Sequence, residues 1–541
     1  MRKSTVALCV LSTLYMPSLY ADVQINGFAS IVAGSSLSDD KSYYDYDKEL
    51  NFNNDSKVAL QFTADLGSGL RATAQVLSRG NNDYSAEFEW AYISYDISDK
   101  LMLMAGRQRF NLYKYSDYID VGYAYHWITP PRGVYSLPFN SGEGVGLVYS
   151  DLWGDTEVGL TYKYITTSVS DYAPIGSSTP PAPFSAKGHI MNFNFVTSGF
   201  EYGLNIGIVT DFSYELPALL GLGDAIAQTG LFSQQVVDDL LPINDSALLI
   251  GANVKYDAGK WFVLAEYTRI DVDPSSFNIQ DSAFISGGIR YKDFTFHLTY
   301  GIDKNDPQYN AYEGMLPLYN SLPPANQAAL APLVFGTKAA LEAQQEDSSY
   351  YIIGTRWDFH PSAALKLEYT NYSNDKPSSD EQLLSMAIDL VFKELNMKLL
   401  IRSRLMMKTL VASALLLGSA CVQAEIAVVV HPSNTSEISA ADISRIYLGK
   451  LKSFPSGGTV VALDQPEGSP ARDAFVKQIL NKTESQLKAY WSKLVFSGQG
   501  QPPKVVDSSA EMLSLIAANP NMIGFVDVSE VNDSVKVISK F

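Results

Sequence analysis

The sequence predicts an all-β transmembrane barrel of about sixteen antiparallel strands, followed by a small α/β domain. Three observations predict this arrangement: apolar and polar side chains alternate over residues 22–392, very short turns alternate with longer connections, and the charge and patterning change between residues 392 and 425. Alternation with period two marks a strand with two unlike faces. An even number of strands with tight turns at one end is typical of outer-membrane barrels.

The alternation is clearest in residues 57–66 and 384–392, where every second side chain is apolar. A soluble β-sandwich would show the same pattern, so the lengths of the connections decide between the two folds. Seven tight turns alternate with eight longer connections, which gives sixteen strands and an aqueous lumen. The tight turns contain Ser68, Asp99, Gly154, Gly199, Ala258, Lys292 and Pro361. Tyrosines expected at the membrane interfaces are Tyr92, Tyr95, Tyr149, Tyr162 and Tyr164.

Composition excludes several classes of function. The formal net charge of −18 argues against a nucleic-acid partner, which needs a basic surface. Five His and two Cys provide little material for a metal site, so we expect no metal and no cofactor. The histidines His126, His189, His297 and His360 are scattered, without a Ser or Asp partner at an interpretable spacing. We therefore expect no enzyme activity.

Two segments have the pattern of export signals. Residues 1–21 carry a basic start, an apolar run and a small residue before Asp22. Residues 393–424 form a linker that repeats this pattern and ends in Val422-Gln423-Ala424. Both cysteines, Cys9 and Cys421, lie in these segments, so the mature parts are expected to fold without disulfides.

The acidic charge belongs to the predicted barrel. Residues 425–541 contain 12 acidic and 11 basic side chains, whereas residues 22–392 have a net charge of −23. The two parts are thus expected to be different kinds of protein.

Residues 22–392 resemble the Gram-negative general porins. The resemblance rests on the export signal, the sixteen-strand rhythm, the terminal aromatic Phe392 and the passage Gly106-Arg107-Gln108-Arg109 followed by 115–123. It implies that the third loop, from about Lys114 to Glu143, folds into the lumen and narrows it. Its acids would then lie opposite basic residues of the wall. The pore-constriction residues expected on this basis are Arg71, Arg79, Arg107, Arg109, Asp117 and Asp120.

The alternation also places Lys163, Arg290 and Arg356 in the lumen. Opposed charges across a water-filled constriction would filter solutes by charge. The alternative is that these groups are solvated lumen residues without a selective role. Two other long loops, 217–242 and 321–347, contain helix-like stretches that would be either lids or surface padding.

Residues 425–541 alternate strand and helix patterns, which indicates an α/β domain. The turn 464–472 contains Gly468, Ser469 and Arg472 before a predicted helix, a combination that can cradle an oxyanion. With 446–450 and 522–526, this turn resembles the PstS-like phosphate-binding proteins of ABC importers. The resemblance implies an oxyanion site at Gly468, Ser469 and Arg472, with Ser433 and Asn434. Pro470 and Ala471 depart from the family's pattern, so a docking module without ligand stays open as the alternative.

Together these features predict a signal peptide at 1–21, an outer-membrane porin barrel at 22–392, a linker at 393–424 and a PstS-like periplasmic module at 425–541. The expected function is passive diffusion of small hydrophilic solutes and ions, with phosphate as a candidate, through a homotrimer embedded in outer-membrane lipids. An adhesin, or a porin joined to an independent module by merged reading frames, are the alternatives.

We predict that cleavage after Ala424 separates the two parts after export, because an interdomain linker has no need of a basic start, an apolar core and a cleavage motif. An epitope tag placed after Phe541 should appear on a small periplasmic species. A tagged band of full mature length in the outer membrane, with no small species, would contradict cleavage and favour a tether.

Overall fold

The computed structural model describes residues 22–38, 44–135, 137, 140–172, 181–343, 345–376, 378–393 and 425–541. The expected signal peptide at 1–21 and all but the first residue of the expected linker lie outside these residues.

The described residues contain sixteen antiparallel strands that close into one barrel, as the sequence predicted. Each strand pairs with its neighbours along the chain, and β1 pairs with β16 to complete the circle. The strands are β1 (Asp22–Ser36), β2 (Lys57–Gly67), β3 (Leu70–Arg79), β4 (Ala86–Ser98), β5 (Leu101–Arg109), β6 (Ser141–Trp153), β7 (Thr156–Tyr172), β8 (Ala182–Thr197), β9 (Phe200–Tyr214), β10 (Ile243–Asp257), β11 (Trp261–Val272), β12 (Ile279–Tyr291), β13 (Phe294–Asp306), β14 (Glu346–His360), β15 (Ala363–Asp375) and β16 (Ser378–Lys393).

All seven predicted tight turns join consecutive strands at one end of the barrel, which we call the short-turn end. The connections at the other end are longer, with one exception. β15 ends at Asp375 and β16 begins at Ser378, so the last of the eight expected longer loops is as short as a tight turn. Two residues are enough here because adjacent antiparallel strands need no longer connection.

The predicted alternation produces two distinct faces. Outward-facing apolar side chains stay accessible, as for Ile93 and Leu298, which are 54% and 55% exposed. Apolar atoms that face hydrocarbon need no protein partner, so this exposure is the expected state of a membrane barrel. Among the tyrosines expected at the interfaces, Tyr92 differs, because it is buried and its ring lies 5.5 Å from that of Trp90.

Two of the long loops contain helices: α1 (Pro217–Gln228), α2 (Gln234–Asp238), α3 (Asn310–Ser321) and α4 (Pro324–Glu342). These helices bury one shared apolar cluster that includes Val236, Met315 and Val334. The sequence prediction missed α3. Over the described part of the chain, no helix has both the length and the apolar character required to cross a bilayer.

Residues 425–541 form a second, five-stranded sheet, with strand order β19-β18-β20-β17-β21. In chain order its elements are β17 (Ile426–Val430), α5 (Ala440–Tyr447), β18 (Val461–Asp464), α6 (Pro470–Gln478), α7 (Glu484–Phe496), β19 (Lys504–Val505), α8 (Ser509–Ala518), β20 (Met522–Asp527) and β21 (Lys536–Lys540). We call residues 425–541 the second unit. Strand β20 lies at the centre of this sheet, and β19 and β21 form its two edges.

We predict that Leu298→Arg, on the outward face of β13, lowers the free energy of unfolding by about 2–4 kcal/mol, because it places a charge near the bilayer midplane. Ile302→Arg is the matched control. It lies on the same face but next to the charged end of the strand, so its cost should be about 0–1 kcal/mol. Urea unfolding in lipid vesicles measures both, and equal losses would contradict the orientation of the barrel.

Candidate pore constriction

Loop 3 lies between β5 and β6, and its described residues, 110–135, 137 and 140, include many that pack against the barrel wall. The sequence placed it at 114–143, so it begins four residues earlier and ends before β6 at Ser141. Most of its described aromatic side chains are almost completely buried and belong to one apolar cluster that includes wall residues such as Phe28. These loop residues are Tyr113, Tyr115, Tyr118, Tyr123, Tyr125 and Trp127. The loop and the inner wall therefore form one shared apolar core.

Two wall cations hold the backbone of loop 3. The Arg356 guanidinium donates to the carbonyl oxygens of Tyr123 (2.8 Å) and Tyr125 (2.7 Å). Lys366 Nζ donates to the carbonyl oxygens of Gly122 (2.7 Å) and Trp127. Buried carbonyl groups need donors, and buried cations need acceptors. The buried cations and the buried carbonyl groups therefore satisfy each other's hydrogen-bonding requirements.

Lys366 also forms an ion pair with Asp389 (2.8 Å), whose other oxygen accepts from Ser30 Oγ (2.5 Å). Gly122 of the loop lies directly on this pair, and a Cβ at that position would collide with Asp389 and Ser30. Glycine is thus required for the close approach of the loop to the wall.

Carboxylates fix the loop at other points. Glu266 of β11 accepts from the Lys114 backbone N–H (2.8 Å) and from the Tyr135 hydroxyl (2.5 Å). Glu368 of β15 accepts from the Ile128 backbone N–H (2.9 Å). Because these contacts come from widely separated strands, loop 3 is bound across the lumen.

Five charged side chains meet where β5 passes into loop 3, and we call them the charged cluster: Lys57, Arg79, Glu89, Arg109 and Asp120. Asp120 forms ion pairs with Lys57 (3.3 Å), Arg79 (3.0 Å) and Arg109. Glu89 forms ion pairs with Arg79 (3.0 Å) and Arg109 (3.4 Å). Three cations against two carboxylates leave a net charge of +1 on the cluster.

The structure brings three of the six predicted constriction residues together: Arg79, Arg109 and Asp120. Arg71 lies at the opposite end of β3 and pairs with Asp96 (2.8 Å). Asp117 lies in loop 3 but accepts a hydrogen bond from Gln499 of the second unit (3.3 Å).

Arg107 faces outward. It is paired across the sheet with Ala91 and Glu143, and it forms an ion pair with Glu143 (2.5 Å). Directly paired residues share a face, and the next outward position on β4 is the exposed Ile93. The predicted lumen orientation of Arg107 therefore differs from its placement, because β5 ends at Arg109 and only there does the chain turn inward.

Other predicted lumen cations are in contact with the loop or the wall. Lys163 Nζ donates to the Arg109 carbonyl oxygen (2.9 Å), and Arg290 pairs with Asp257 near the short-turn end (2.7 Å). The sequence prediction of the site missed Lys57, Glu89, Glu266 and Lys366. Lys57 and Lys366 had a signal, since both lie on polar faces of alternating strands.

The predicted oxyanion residues of the second unit are not assembled around a free cation. Arg472 forms ion pairs with Asp464 (3.0 Å) and Glu484 (2.5 Å). Burial acts to lower the pKa of Arg472, but the two carboxylates raise it above its ordinary value. Gly468 has φ of +80°, and Ser469 caps α6 by accepting from the Arg472 backbone N–H.

Ser433 and Asn434 form local contacts elsewhere. Ser433 Oγ lies 2.7 Å from His431 Nδ1, and Asn434 Oδ1 accepts from the Ser436 N–H (2.9 Å). Among the described residues, neither has a hydrogen bond to the turn 468–472. The same part of the chain contains no group of three or more His, Cys, Asp or Glu side chains that could hold a metal ion.

A closed sixteen-stranded barrel with an inward-folded third loop defines the class of outer-membrane channels. The Gram-negative porin family matches residues 5–377, and the chain belongs to that family. It is an outer-membrane channel for passive diffusion. Family and fold point to a non-enzymatic protein. No curated protein sequence matches the chain.

Solved structures of outer-membrane channels and porins are similar to about two thirds of this chain. The anion-selective porin from Comamonas acidovorans is 11% identical, with a TM-score of 0.43, and the match covers 69% of this chain and 100% of that one. The channel DcaP of Acinetobacter baumannii is 12% identical, with a TM-score of 0.42, covering 69% and 97%. Salmonella typhi OmpF in complex with daunomycin is 13% identical, with a TM-score of 0.43, covering 69% and 98%. The similarity to phosphate-binding proteins has no counterpart among these comparisons.

We predict that Arg109→Met lowers the free energy of unfolding by about 3–5 kcal/mol, because it leaves two buried carboxylates with one cation fewer. Arg107→Met is the matched control, and its partially exposed pair should contribute about 0–1 kcal/mol. Denaturant unfolding followed by tryptophan fluorescence measures both variants. If Arg107→Met lowered the free energy of unfolding as much as Arg109→Met, the placement of Arg107 on the outward face and of Arg109 in the buried cluster would be wrong.

Proposed function

We propose that ions and small hydrophilic solutes pass loop 3 beside the charged cluster, and that the cluster sets the charge preference of the channel. One observation carries this proposal. The side chains of Arg79 and Lys57 are 22% and 14% exposed, whereas their shared partner Asp120 is 7% exposed. Glu89 is 5% exposed, so Arg79 and Lys57 contact solvent more than the two carboxylates do, whereas the third cation, Arg109, is buried at 1%.

Fixed charges that contact water in a narrow passage act strongly on ions, because the low-dielectric wall concentrates their field. The cations Arg356 and Lys366 are 8% and 0% exposed and bind loop 3. They support the passage by holding the loop, whereas Arg79 and Lys57 act on the solute. The whole barrel is acidic, so the local excess of positive charge at the cluster opposes the charge of its surroundings.

We predict that Arg79→Gln shifts the reversal potential in a salt gradient toward cations, because it removes a solvent-accessible positive charge while Asp120 and Glu89 remain. Arg107→Gln, on the outward face, is the matched control and should leave the reversal potential unchanged. The measurement uses residues 22–541 refolded into planar bilayers. The reversal potential does not depend on how many channels are open.

An unchanged reversal potential in Arg79→Gln would overturn the role of the cluster. Absence of ion conductance under all conditions would favour the adhesin alternative. A shift in Arg107→Gln equal to that in Arg79→Gln would mean that the preference is set outside the cluster.

The homotrimer remains a proposal. Its contact surface would be part of the outward apolar face, which also contacts outer-membrane lipids. The four segments, 1–21, 22–392, 393–424 and 425–541, also stay a proposal; the two separate sheets support only the division of the barrel from residues 425–541.

Binding of phosphate or another oxyanion by a periplasmic second unit also stays a prediction. The Arg472 guanidinium would have to leave Asp464 and Glu484 to bind an anion, and Ser433 and Asn434 would have to approach it. The ligand-free docking module, the alternative from the sequence, needs neither rearrangement.

A further inference from the structure

Helix α7 contacts two different parts of the protein. Leu487 and Trp491, four residues apart, pack into the apolar core of the second unit. Phe496, at the end of the helix, belongs to the apolar cluster inside the barrel. A helix with separate apolar positions on two sides is expected to join two packed surfaces.

The end of α7 contacts the inner wall of the barrel. The rings of Phe496 and Phe28 have centroids 5.0 Å apart and cross at 83°, an edge-to-face contact. Gln61 Nε2 of β2 donates to the Val495 carbonyl oxygen (2.8 Å). Phe28 and Gln61 are 1% and 2% exposed, so these two wall residues have almost no contact with solvent.

The chain that follows α7 contacts loop 3. Gly498 has φ of +71°, and a Cβ there would collide with the Tyr92 hydroxyl of the wall. Both observations require glycine. One residue further, Gln499 Nε2 donates to Asp117 Oδ2 of loop 3 (3.3 Å), while Lys493 lies 5.3 Å from the centre of the Tyr118 ring.

Charge pairs surround this contact at the short-turn end. Arg445 pairs with Asp155 (2.7 Å), and Lys450 pairs with Glu157 (2.6 Å). Lys488 Nζ donates to Ser362 Oγ (2.6 Å). Asp155 and Ser362 lie in two different tight turns. Cations of the second unit thus face polar and acidic groups of the barrel rim on more than one side.

We infer that the second unit docks in the short-turn mouth of the barrel and closes the channel, with the end of α7 as the plug. This inference rests on the proposed channel function. The group that occupies the mouth is the second unit of the same chain. The apolar end of its helix α7 covers part of the wall and loop 3, and its basic residues face a barrel of net charge −23. The contacts connect residues 425–541 with the barrel, so they are available both to a tethered unit and to one released by cleavage.

Charge reversal at the rim tests the plug. Residues 22–541 are refolded and measured in planar bilayers at physiological salt, where exposed charge pairs still act over about 8 Å. Arg445→Glu with Lys450→Glu places like charges against Asp155 and Glu157, and ion conductance should rise several-fold. Adding Asp155→Arg and Glu157→Lys should restore the low conductance of the unmodified chain.

The matched control is Lys504→Glu with Lys540→Glu, which changes the net charge of the second unit equally. Among the described residues these exposed lysines have no hydrogen bond or ion pair to the barrel, so conductance should not change. Equal, high conductance of the unmodified and charge-reversed chains would overturn the plug and leave the channel function standing. A rise in the control as large as in the rim variant would also overturn it.

A second measurement keeps docking separate from conduction. Gln61→Cys in a Cys421→Ser background places a thiol on the wall beneath α7. A small charged thiol reagent should label it slowly in the otherwise unmodified chain and several-fold faster in the Arg445→Glu, Lys450→Glu variant. Equal labelling of the two, at any level, overturns the docking. Absence of conductance in every variant together with the expected labelling difference would overturn the channel function alone.

Discussion

The pairing of β1 with β16 closes the sheet, and the rest of the barrel depends on it. These strands are paired from Asn26 with Lys393 to Ser36 with Leu383. A bilayer offers no partners for backbone N–H and C=O groups, so an open edge would be left unsatisfied in lipid. Closure also fixes the two faces, because paired residues on adjacent strands point the same way. Once β1 meets β16, the lumen and lipid linings are set for all sixteen strands.

A sixteen-stranded barrel is too wide for its wall side chains to fill, and loop 3 occupies the space. The loop brings backbone groups into a region with little water, and these need partners. Arg356 and Lys366 supply donors, while Glu266 and Glu368 supply acceptors. Many lumen charges therefore have a structural role. Arg79 and Lys57 differ because they keep contact with solvent while bound to Asp120.

The second unit and the barrel are matched in two different ways. Partly exposed rim pairs such as Lys450 with Glu157 contribute about 0–1 kcal/mol each, so they direct the approach more than they hold the contact. The buried end of α7 adds apolar contact with Phe28. This contribution does not depend on charge and is therefore not screened by salt. The barrel is acidic and the second unit is nearly neutral, and the basic residues at the rim together with the apolar end of α7 account for their contact.

The sequence by itself determined the strands and the seven tight turns, because the period of two and the turn residues are local properties of the chain. The inward course of the third loop was expected only from the resemblance to the porins. It could not separate Arg107 from Arg109, which alternation places on one face. Strand β5 ends at Arg109, and only the folded loop 3 turns this side chain toward Asp120 and Glu89. It also could not show that Arg472 is held by Asp464 and Glu484, or that α7 ends against Phe28. These contacts join residues from different elements, and which of them meet depends on how the closed barrel, its third loop and the second unit pack in three dimensions.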